Sequence, residues 1–146
     1  MADWNDATHA LGVAEMDATH AEFVALVNRL VASDAANFAG LFVTLLGHCR
    51  QHFTNEGRLM RISRVPALAE HEAEHHRIYG DLVQMNRAVQ RGRLVLPRAF
   101  VREGLVEWFG LHLASMDVAL AAHLLRTGAA PRWLEGGLPI LGQDTA

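Results

Sequence analysis

The sequence has little of several features that mark other classes of protein. Cys49 is the one cysteine among 146 residues, so the chain cannot form an internal disulfide. No Asn-Gly or Asp-Gly pair lies between alternating apolar and polar residues, so β-hairpins are not indicated. No uninterrupted apolar run approaches the roughly 20 residues that a membrane-spanning helix needs. We therefore expect a protein without disulfides, without β-hairpins and without a membrane span.

An excess of basic residues is also missing. The 13 Lys and Arg are outnumbered by 16 Asp and Glu, for a formal net charge of -3. Proteins whose main partner is nucleic acid carry a clear excess of positive charge. The first residues have neither the positive charge nor the apolar run of a secretory signal. We therefore expect no nucleic-acid partner and a cytoplasmic location.

Glycine and proline divide the chain into four long stretches in which apolar residues recur at helical spacing. The stretches run over about 16–32, 38–62, 66–90 and 97–125. Pro66 and Pro97 lie at the predicted starts of the third and fourth helices, and Gly92 and Gly128 lie at their predicted ends. Four such helices with short connections predict an all-α fold, an up-down-up-down antiparallel four-helix bundle.

The bundle is predicted to be a single domain with two appendages. It would occupy residues 1–126, of which 1–15 form an N-terminal arm. Residues 127–146 would form a C-terminal tail that is not a separate domain. The tail carries apolar residues such as Trp133 and Leu138, which is unusual for a disordered segment. We expect it to pack on the bundle or to bind a protein partner.

Nine histidines are unusual in so short a chain, and their positions favour a metal site. Each predicted helix carries at least one side chain that can bind a metal. The candidates are His20 in the first helix, His52 and Glu56 in the second, His71 and His75 in the third, and His112 and Asp117 in the fourth. A spacing of four residues, found in the second and third helices, places both side chains on one helix face.

His112 and Asp117 are five residues apart, which does not suit a regular α-helix. Five residues rotate about 140° around the helix axis, and this would turn the two side chains apart. A π-bulge would bring them together, and such bulges are frequent at functional sites. We therefore predict a distortion of the helix between these two residues.

Five imidazoles and two carboxylates exceed what a single ion can bind. They suit two six-coordinate ions if both carboxylates bridge the ions and one coordination position stays open. Nitrogen and oxygen ligands without thiolate suit iron, manganese or zinc, and a mixed octahedral site favours iron. The open position is where a small molecule such as dioxygen would bind.

These residues resemble the hemerythrin family, and within it the single-domain bacteriohemerythrins. The resemblance runs from Trp4 to about Leu124, which is most of the chain. After Trp4, the segments that carry it are Leu11-Gly12-Val13, Asp17-Ala18-Thr19-His20, His52-Phe53-Thr54-Asn55-Glu56, His71-Glu72-Ala73-Glu74-His75, and Trp108-Phe109-Gly110-Leu111-His112 followed by Asp117. The resemblance therefore covers all seven candidate ligands in their order and local spacing.

The resemblance implies a cofactor of two non-haem iron ions joined by an oxo or hydroxo bridge. One iron would be bound by His71, His75 and His112, the other, with the open position, by His20 and His52, and both by the bridging carboxylates Glu56 and Asp117. Phe53 and Trp108 would be walls of the oxygen pocket, although ordinary core packing favours the same residue types.

The function that the resemblance implies is reversible dioxygen binding for storage, delivery or sensing, and not catalysis. Two alternatives stay open. The first is a di-iron oxidase or peroxidase. A weak oxidase or peroxidase side activity would also be compatible with an oxygen-binding protein. The second is an oxygen or redox sensor that signals through a separate protein. Oxygen-activating bundles use more carboxylates and Glu-x-x-His pairs, so the ligand set favours binding over activation.

Several residues near the candidate ligands are expected to stay outside the site. We expect His48 to make a local hydrogen bond, with an auxiliary role at the site as the alternative. Cys49 is expected in the core rather than as a redox sensor. We also expect His76 to face solvent and Asn55 to point away from the ligands, because each is rotated by about 100° from a neighbouring ligand.

Overall fold

The computed structural model describes residue 5 and residues 9–128, which form four long helices. They are α1 (Ala14–Ala32), α2 (Ala35–Ser63), α3 (Leu68–Gln90) and α4 (Val95–Thr127). No strand occurs within these described residues. Connections of two to four residues join the helices, and α4 packs against the other three. The predicted all-α helical bundle is confirmed.

Capping residues mark the start of α2 and the ends of α3 and α4, and the two glycines confirm the predicted ends. The side chain of Asp34 accepts a hydrogen bond from the backbone N–H of Asn37 at 2.9 Å and so caps the start of α2. Gly92 follows α3 with a φ of +77°, and Gly128 follows α4 with a φ of +69°. Glycine adopts this left-handed conformation without the steric cost that a side chain brings.

The prolines lie close to two helix starts but not at the predicted first residues. Pro66 precedes α3, which begins at Leu68 because Ala67 has a left-handed φ of +63°. Pro97 lies in the first turn of α4, which begins at Val95. Proline is tolerated in a first turn, where the backbone N–H has no partner within the helix. The predicted starts at 66 and 97 are therefore each displaced by two residues.

The core consists of two apolar clusters that lie on either side of the candidate ligands. The larger cluster is built around fully buried residues such as Leu30, Phe42 and Leu82. The smaller one lies near the opposite end of the bundle and includes Met16 and Leu124. On α1, α2 and α4 the candidate ligands occupy positions between these clusters. Apolar packing on both sides therefore holds a layer of polar side chains inside the bundle.

Helix α4 is long and apolar enough to span a membrane by length and composition alone. Helices in the core of a water-soluble protein pass the same test, since the side that packs against other helices is apolar. Its inward face carries His112 and Asp117, which are buried among residues of the other helices. The apolar character of α4 is therefore weak evidence for a membrane span.

The described part of the N-terminal arm is tied to α1 through Asp17. Its carboxylate accepts hydrogen bonds from the backbone N–H of Leu11 at 2.7 Å and of Gly12 at 3.2 Å. Gly12 has a φ of +86°, which allows the chain to turn there. Residues 1–4, 6–8 and 129–146 lie outside the described part, so the predicted tail and domain limits stay predictions.

Candidate metal centre

The seven candidate ligands come from all four helices and meet in one layer of the bundle. Two clusters of potential ligand atoms form there, and within each cluster the atoms lie within 4.8 Å of one another. We call them the three-histidine group (His71, His75 and His112, with Glu56 and Asp117) and the two-histidine group (His20 and His52, with Glu56). Because Glu56 belongs to both, the two groups are adjacent.

The three-histidine group has the spacing of ligands around one ion. The Nε2 atom of His112 lies 3.2 Å from Nε2 of His71 and 3.1 Å from Nε2 of His75. Adjacent nitrogen ligands of an octahedral ion, with metal–nitrogen bonds of about 2.1 Å, would lie about 3.0 Å apart. The Nε2 atoms of His71 and His75 therefore each fit a corner next to that of His112 in one coordination shell.

Glu56 offers one carboxylate oxygen to each group. Its Oε1 atom lies 2.9 Å from Nε2 of His71 and 3.3 Å from Nε2 of His75. Its Oε2 atom lies 3.1 Å from Nε2 of His52. A carboxylate divided in this way between two sets of imidazoles can bridge two ions.

Asp117 is divided between the two sets of imidazoles in the same way. Its Oδ1 atom lies 3.3 Å from Nε2 of His71 and 3.1 Å from Nε2 of His112. Its Oδ2 atom lies 3.3 Å from Nε2 of His20 in the two-histidine group. Asp117 therefore reaches the two-histidine group through this second oxygen, which makes it a second potential bridge.

The buried carboxylates lack the hydrogen bonds that would compensate their burial. Both oxygens of Glu56 and the Oδ1 atom of Asp117 accept no hydrogen bond of ordinary geometry within the described part of the chain. Burying charged groups is costly unless they are paired or coordinate a metal. Imidazole and carboxylate ligands without thiolate suit iron. The residues present therefore fit a metal centre of the iron type.

A π-helical segment places His112 and Asp117 side by side. It spans Leu113–Asp117, and the backbone N–H of Val118 donates to the carbonyl of Leu113, five residues earlier. The wider turn brings positions five residues apart onto one face, and the two ligand atoms lie 3.1 Å apart. The predicted distortion is confirmed. A second π-helical segment, Phe100–Leu105, was not predicted because no ligand spacing marks it.

Charge within the layer shifts the pKa of several candidate ligands. Burial lowers the pKa of His71, but Asp117 and Glu56 raise it by more, to about 9. Burial raises the pKa of Glu56, yet contacts with His52 and other histidines hold it well below its usual range. The pKa of His75 is lowered, chiefly by burial. Without a cation, a protonated His71 thus balances part of the carboxylate charge.

A cavity of about 20 Å³ lies beside the two-histidine group. A single water needs roughly 10–15 Å³ by this measure, so the cavity has room for one small molecule. Both histidines of the group, His20 and His52, contribute to its lining. Its aromatic walls are Phe23, Phe53, Trp108 and Phe109. The structure therefore places Phe53 and Trp108, the two predicted pocket walls, at a cavity next to the ligands.

Aromatic rings also pack directly against the three-histidine group. The ring of Phe53 stacks on His75 at 4.1 Å, and the ring of Trp108 stacks on His112 at 4.6 Å between centroids. The Nε1–H of Trp108 donates to the carboxylate of Glu74 at 3.0 Å. The sequence reasoning missed Glu74, because Trp108 lies 34 residues further along the chain and on another helix.

The remaining polar residues near the layer have other surroundings. His76 is exposed, as predicted. Asn55 is buried but lies outside both ligand groups, and its side chain accepts a hydrogen bond from Gln51 at 3.4 Å. Cys49 is buried in the apolar core, which raises its thiol pKa to about 12. A thiol that stays protonated is a poor redox sensor, so the core interpretation of Cys49 is favoured.

A larger cavity, of about 360 Å³, lies on the outer face of α2 and α3. Its lining includes the exposed residues Arg50 and His76, together with Arg61, which pairs with Glu72. His75 is the one candidate ligand that lines it within the described part of the chain. Because this cavity is larger and more open to solvent, the small cavity is the better candidate for excluding water from a metal centre.

Comparisons with known proteins agree with the resemblance in the sequence motifs. A family model described as Hemerythrin HHE cation binding domain matches residues 11–124. The chain is 32% identical over 129 residues to a bacteriohemerythrin of Ralstonia nicotianae (strain ATCC BAA-1114 / GMI1000). The aligned region covers 88% of this chain and 93% of that relative. No solved structure matches the chain.

Proposed function

Since the chain belongs to the hemerythrin family, we propose that it binds dioxygen reversibly at a centre of two non-haem iron ions. The observation that carries this proposal is the shared position of Glu56 and Asp117. Each carboxylate has one oxygen near the imidazoles of the three-histidine group and the other near a histidine of the two-histidine group. This arrangement, beside a cavity of about 20 Å³, supports a pair of ions next to a binding pocket.

The proposed ligands divide unequally between the two irons. One ion would take three imidazoles, one oxygen from each carboxylate and a solvent-derived bridge, which together make six ligands. The other would take two imidazoles, the remaining carboxylate oxygens and the same bridge, which together make five. The sixth position of this second iron would face the small cavity, since His20 and His52 both line it. The iron pair would supply the two electrons that reversible dioxygen binding requires.

The side chains around the cavity would favour release of unchanged dioxygen. The aromatic walls limit the space to about that of one small molecule, which excludes bulk water and larger reductants. The ring of Phe109 contacts His20 with centroids 5.6 Å apart and so covers the two-histidine group. The protein would thus supply orientation and exclusion, while the iron supplies the redox chemistry.

The ligand set favours binding over catalysis as the proposed function. Oxygen-activating di-iron bundles use a Glu from each of two helices and Glu-x-x-His pairs from the other two. Here the buried layer contains five histidines and two carboxylates. The Glu72–His75 pair has the Glu-x-x-His spacing, but Glu72 pairs with Arg61 outside the layer. We therefore propose a cytoplasmic oxygen-binding protein, with an oxidase or peroxidase as the second candidate.

The test is to load the purified chain with ferrous iron without air and to count the iron bound. We expect two irons per chain and a visible absorption that appears with dioxygen, disappears under argon and returns on re-exposure. The same chain loaded with zinc is the control and should stay colourless. A colour that persists under argon would favour the enzyme or redox-sensor alternatives. Fewer than two irons per chain would contradict the di-iron centre itself.

A further inference from the structure

The segment that joins α3 to α4 carries a concentration of positive charge that the proposed metal centre does not use. No Asp or Glu lies between Asp81 and Glu103 in the sequence. The same stretch holds five of the chain's 13 basic residues, Arg87, Arg91, Arg93, Arg98 and Arg102. The chain as a whole has a formal net charge of -3, so residues 87–102, which we call the basic segment, differ in charge from the rest of the protein.

The arginines of the basic segment are available to an outside partner. Three of them are exposed and form no ion pair within the described residues, namely Arg87, Arg91 and Arg93. Arg102 pairs with Glu103, but both side chains are more than half exposed, and such surface pairs are weak. At the neighbouring turn between α1 and α2, the carboxylate of Asp34 is engaged in capping α2. Little nearby negative charge therefore competes for the arginines.

Two large apolar side chains lie exposed among these arginines. Val95 is 88% exposed, the highest value for a large apolar side chain in the described part of the protein, and Leu96 is 64% exposed. Their neighbours face the bundle, since Leu94 packs against the larger apolar cluster and Pro97 is buried. Single exposed apolar residues are common on protein surfaces. An adjacent exposed pair with basic residues on both sides is a more specific arrangement.

We propose that the basic segment docks on the surface of a membrane that contains anionic lipids. Val95 and Leu96 would enter the boundary between headgroups and acyl chains, and the arginines would meet the lipid phosphates. Stable attachment to a bilayer surface needs two signals, such as an apolar anchor together with a basic patch. Clusters of roughly four to eight basic residues are attracted by the negative potential of anionic membranes. The docking needs no membrane-spanning helix and does not depend on the proposed di-iron function.

The apolar pair favours a lipid surface over nucleic acid as the partner. Nucleic-acid phosphates would attract the same arginines, but they offer no apolar phase for Val95 and Leu96. Unpaired bases are bound mainly by stacking on aromatic side chains or on arginine planes, and the exposed pair is aliphatic. In a membrane, charged phosphates and apolar chains lie about 5–10 Å apart in depth. The basic segment presents both kinds of side chain on one short stretch.

The test is co-sedimentation of the full chain with vesicles, with and without loaded iron. Vesicles of mixed phosphatidylcholine and phosphatidylglycerol supply an anionic surface, and vesicles of phosphatidylcholine alone supply a neutral one. The double variant Arg91→Gln/Arg93→Gln removes two charges. The double variant Val95→Ser/Leu96→Ser removes the apolar pair. Thermal melting followed by circular dichroism checks that each variant is folded, which is expected because all four side chains are exposed.

Two double variants outside the basic segment are the matched controls. Arg50→Gln/Arg126→Gln removes the same amount of charge from exposed positions on α2 and α4. Val43→Ser/Ile62→Ser removes an apolar pair that is 53% and 57% exposed on α2. Each control therefore changes the composition of the surface as its partner variant does, but at another place.

The expected results depend on both the charge and the apolar pair. The parent should bind anionic vesicles at least about tenfold more tightly than neutral ones, and added salt should weaken this binding. Each variant of the basic segment should bind anionic vesicles about tenfold more weakly than the parent, because each lacks one of the two signals. Both controls should stay within about twofold of the parent.

Four results would overturn the proposal. The first is a parent chain that binds anionic vesicles no better than neutral ones. The second is an arginine variant that binds as tightly as the arginine control. The third is an apolar variant that binds as tightly as the apolar control, because the segment would then adsorb through charge alone. The fourth is tighter binding of duplex DNA than of anionic vesicles, which would assign the arginines to nucleic acid.

Discussion

The two ligand groups share Glu56, but the space around them differs. In the three-histidine group, aromatic rings stack on two of the imidazoles, with Phe53 on His75 and Trp108 on His112. In the two-histidine group, the imidazoles adjoin a cavity of about 20 Å³. His112 also lines this cavity, but its ring and that of His75 are each covered by a stacked aromatic ring, so two ions built from the same residue types would meet different surroundings.

The difference follows from how many ligands each helix can present. Helix α3 carries His71 and His75 on one face, because the two are four residues apart. Helix α1 presents His20 alone to the same layer. In the proposed centre, the helix with two histidines would complete one coordination shell, and the helix with one would leave a position for a small molecule in the other. We make four predictions about the two groups, in order of decreasing expected effect.

Removing the shared carboxylate should affect both groups at once. We expect Glu56→Ala to reduce bound iron from the proposed two ions per chain to less than one, because each ion loses an oxygen ligand. The matched control is Glu72→Ala, since Glu72 pairs with Arg61 outside the layer. Metal analysis after desalting measures the iron content. An unchanged iron content in Glu56→Ala would show that this carboxylate is not a bridge.

Removing one imidazole should affect the two groups unequally. His52→Ala would leave one imidazole in the two-histidine group, whereas His75→Ala would leave two in the three-histidine group. We therefore expect His52→Ala to release an iron at a lower chelator concentration and to lose the oxygen-dependent colour. Chelator titration of both variants, followed by metal analysis, measures the difference. Equal chelator sensitivity would contradict the proposed inequality of the two shells.

Opening the small cavity should shorten the lifetime of the oxygen-bound form. Phe109 is a wall of the cavity and contacts His20, so Phe109→Ala would admit water and reductants. We expect the coloured form to decay about tenfold faster, the change that a barrier lower by about 1.4 kcal/mol produces. Leu111→Ala is the control, because Leu111 is exposed on the same helix. Equal decay rates in the two variants would remove the role of this wall.

Changing pH should alter the stability of the metal-free protein through His71. Its pKa is raised to about 9 by Asp117 and Glu56, which outweigh its burial. A histidine whose pKa is higher in the folded chain than in the unfolded chain stabilises the fold while it is protonated. This contribution is fully present below the pKa of the unfolded chain, about 6.5, and is lost as the pH rises through the pKa of the folded chain. The melting temperature of the metal-free chain should therefore fall between about pH 6.5 and 9 from this contribution.

The variant His71→Gln provides the control for this pH effect. It lacks the titrating group, so its melting temperature should vary less over the same range. Metal affinity should change in the opposite direction, because a ligand histidine must lose its proton to bind iron. The assignment of this shift would be contradicted if the parent chain and His71→Gln both became more stable, and to the same extent, as the pH rises.

The fold and the family could be predicted because the relevant signals are local in the sequence. The spacing of four residues between His71 and His75 predicts a shared helix face without knowledge of the other helices. The spacing of five between His112 and Asp117 predicted the π-helical distortion for the same reason. Helix ends at Gly92 and Gly128 also depend on local conformational preference. The starts of α3 and α4 were displaced because proline tolerates several positions near a first turn.

Other features depend on how the helices are rotated and shifted relative to one another. The hydrogen bond between Trp108 and Glu74 joins residues 34 positions apart, and no local spacing indicates it. The unpartnered Nε2 of His48 and the volume of the cavity likewise depend on packing between helices. Periodicity specifies which face of a helix is buried, but it does not specify what that face meets.

Spacing along the chain specifies the helices and the residue types of the buried layer, and the resemblance of the ligand motifs to those of a known family indicates the family. The packing of the helices determines which carboxylate oxygen lies near which histidine and where a small cavity remains. The physical reason is that the position of a ligand atom combines the rotation, shift and tilt of four helices, and close packing sets these together.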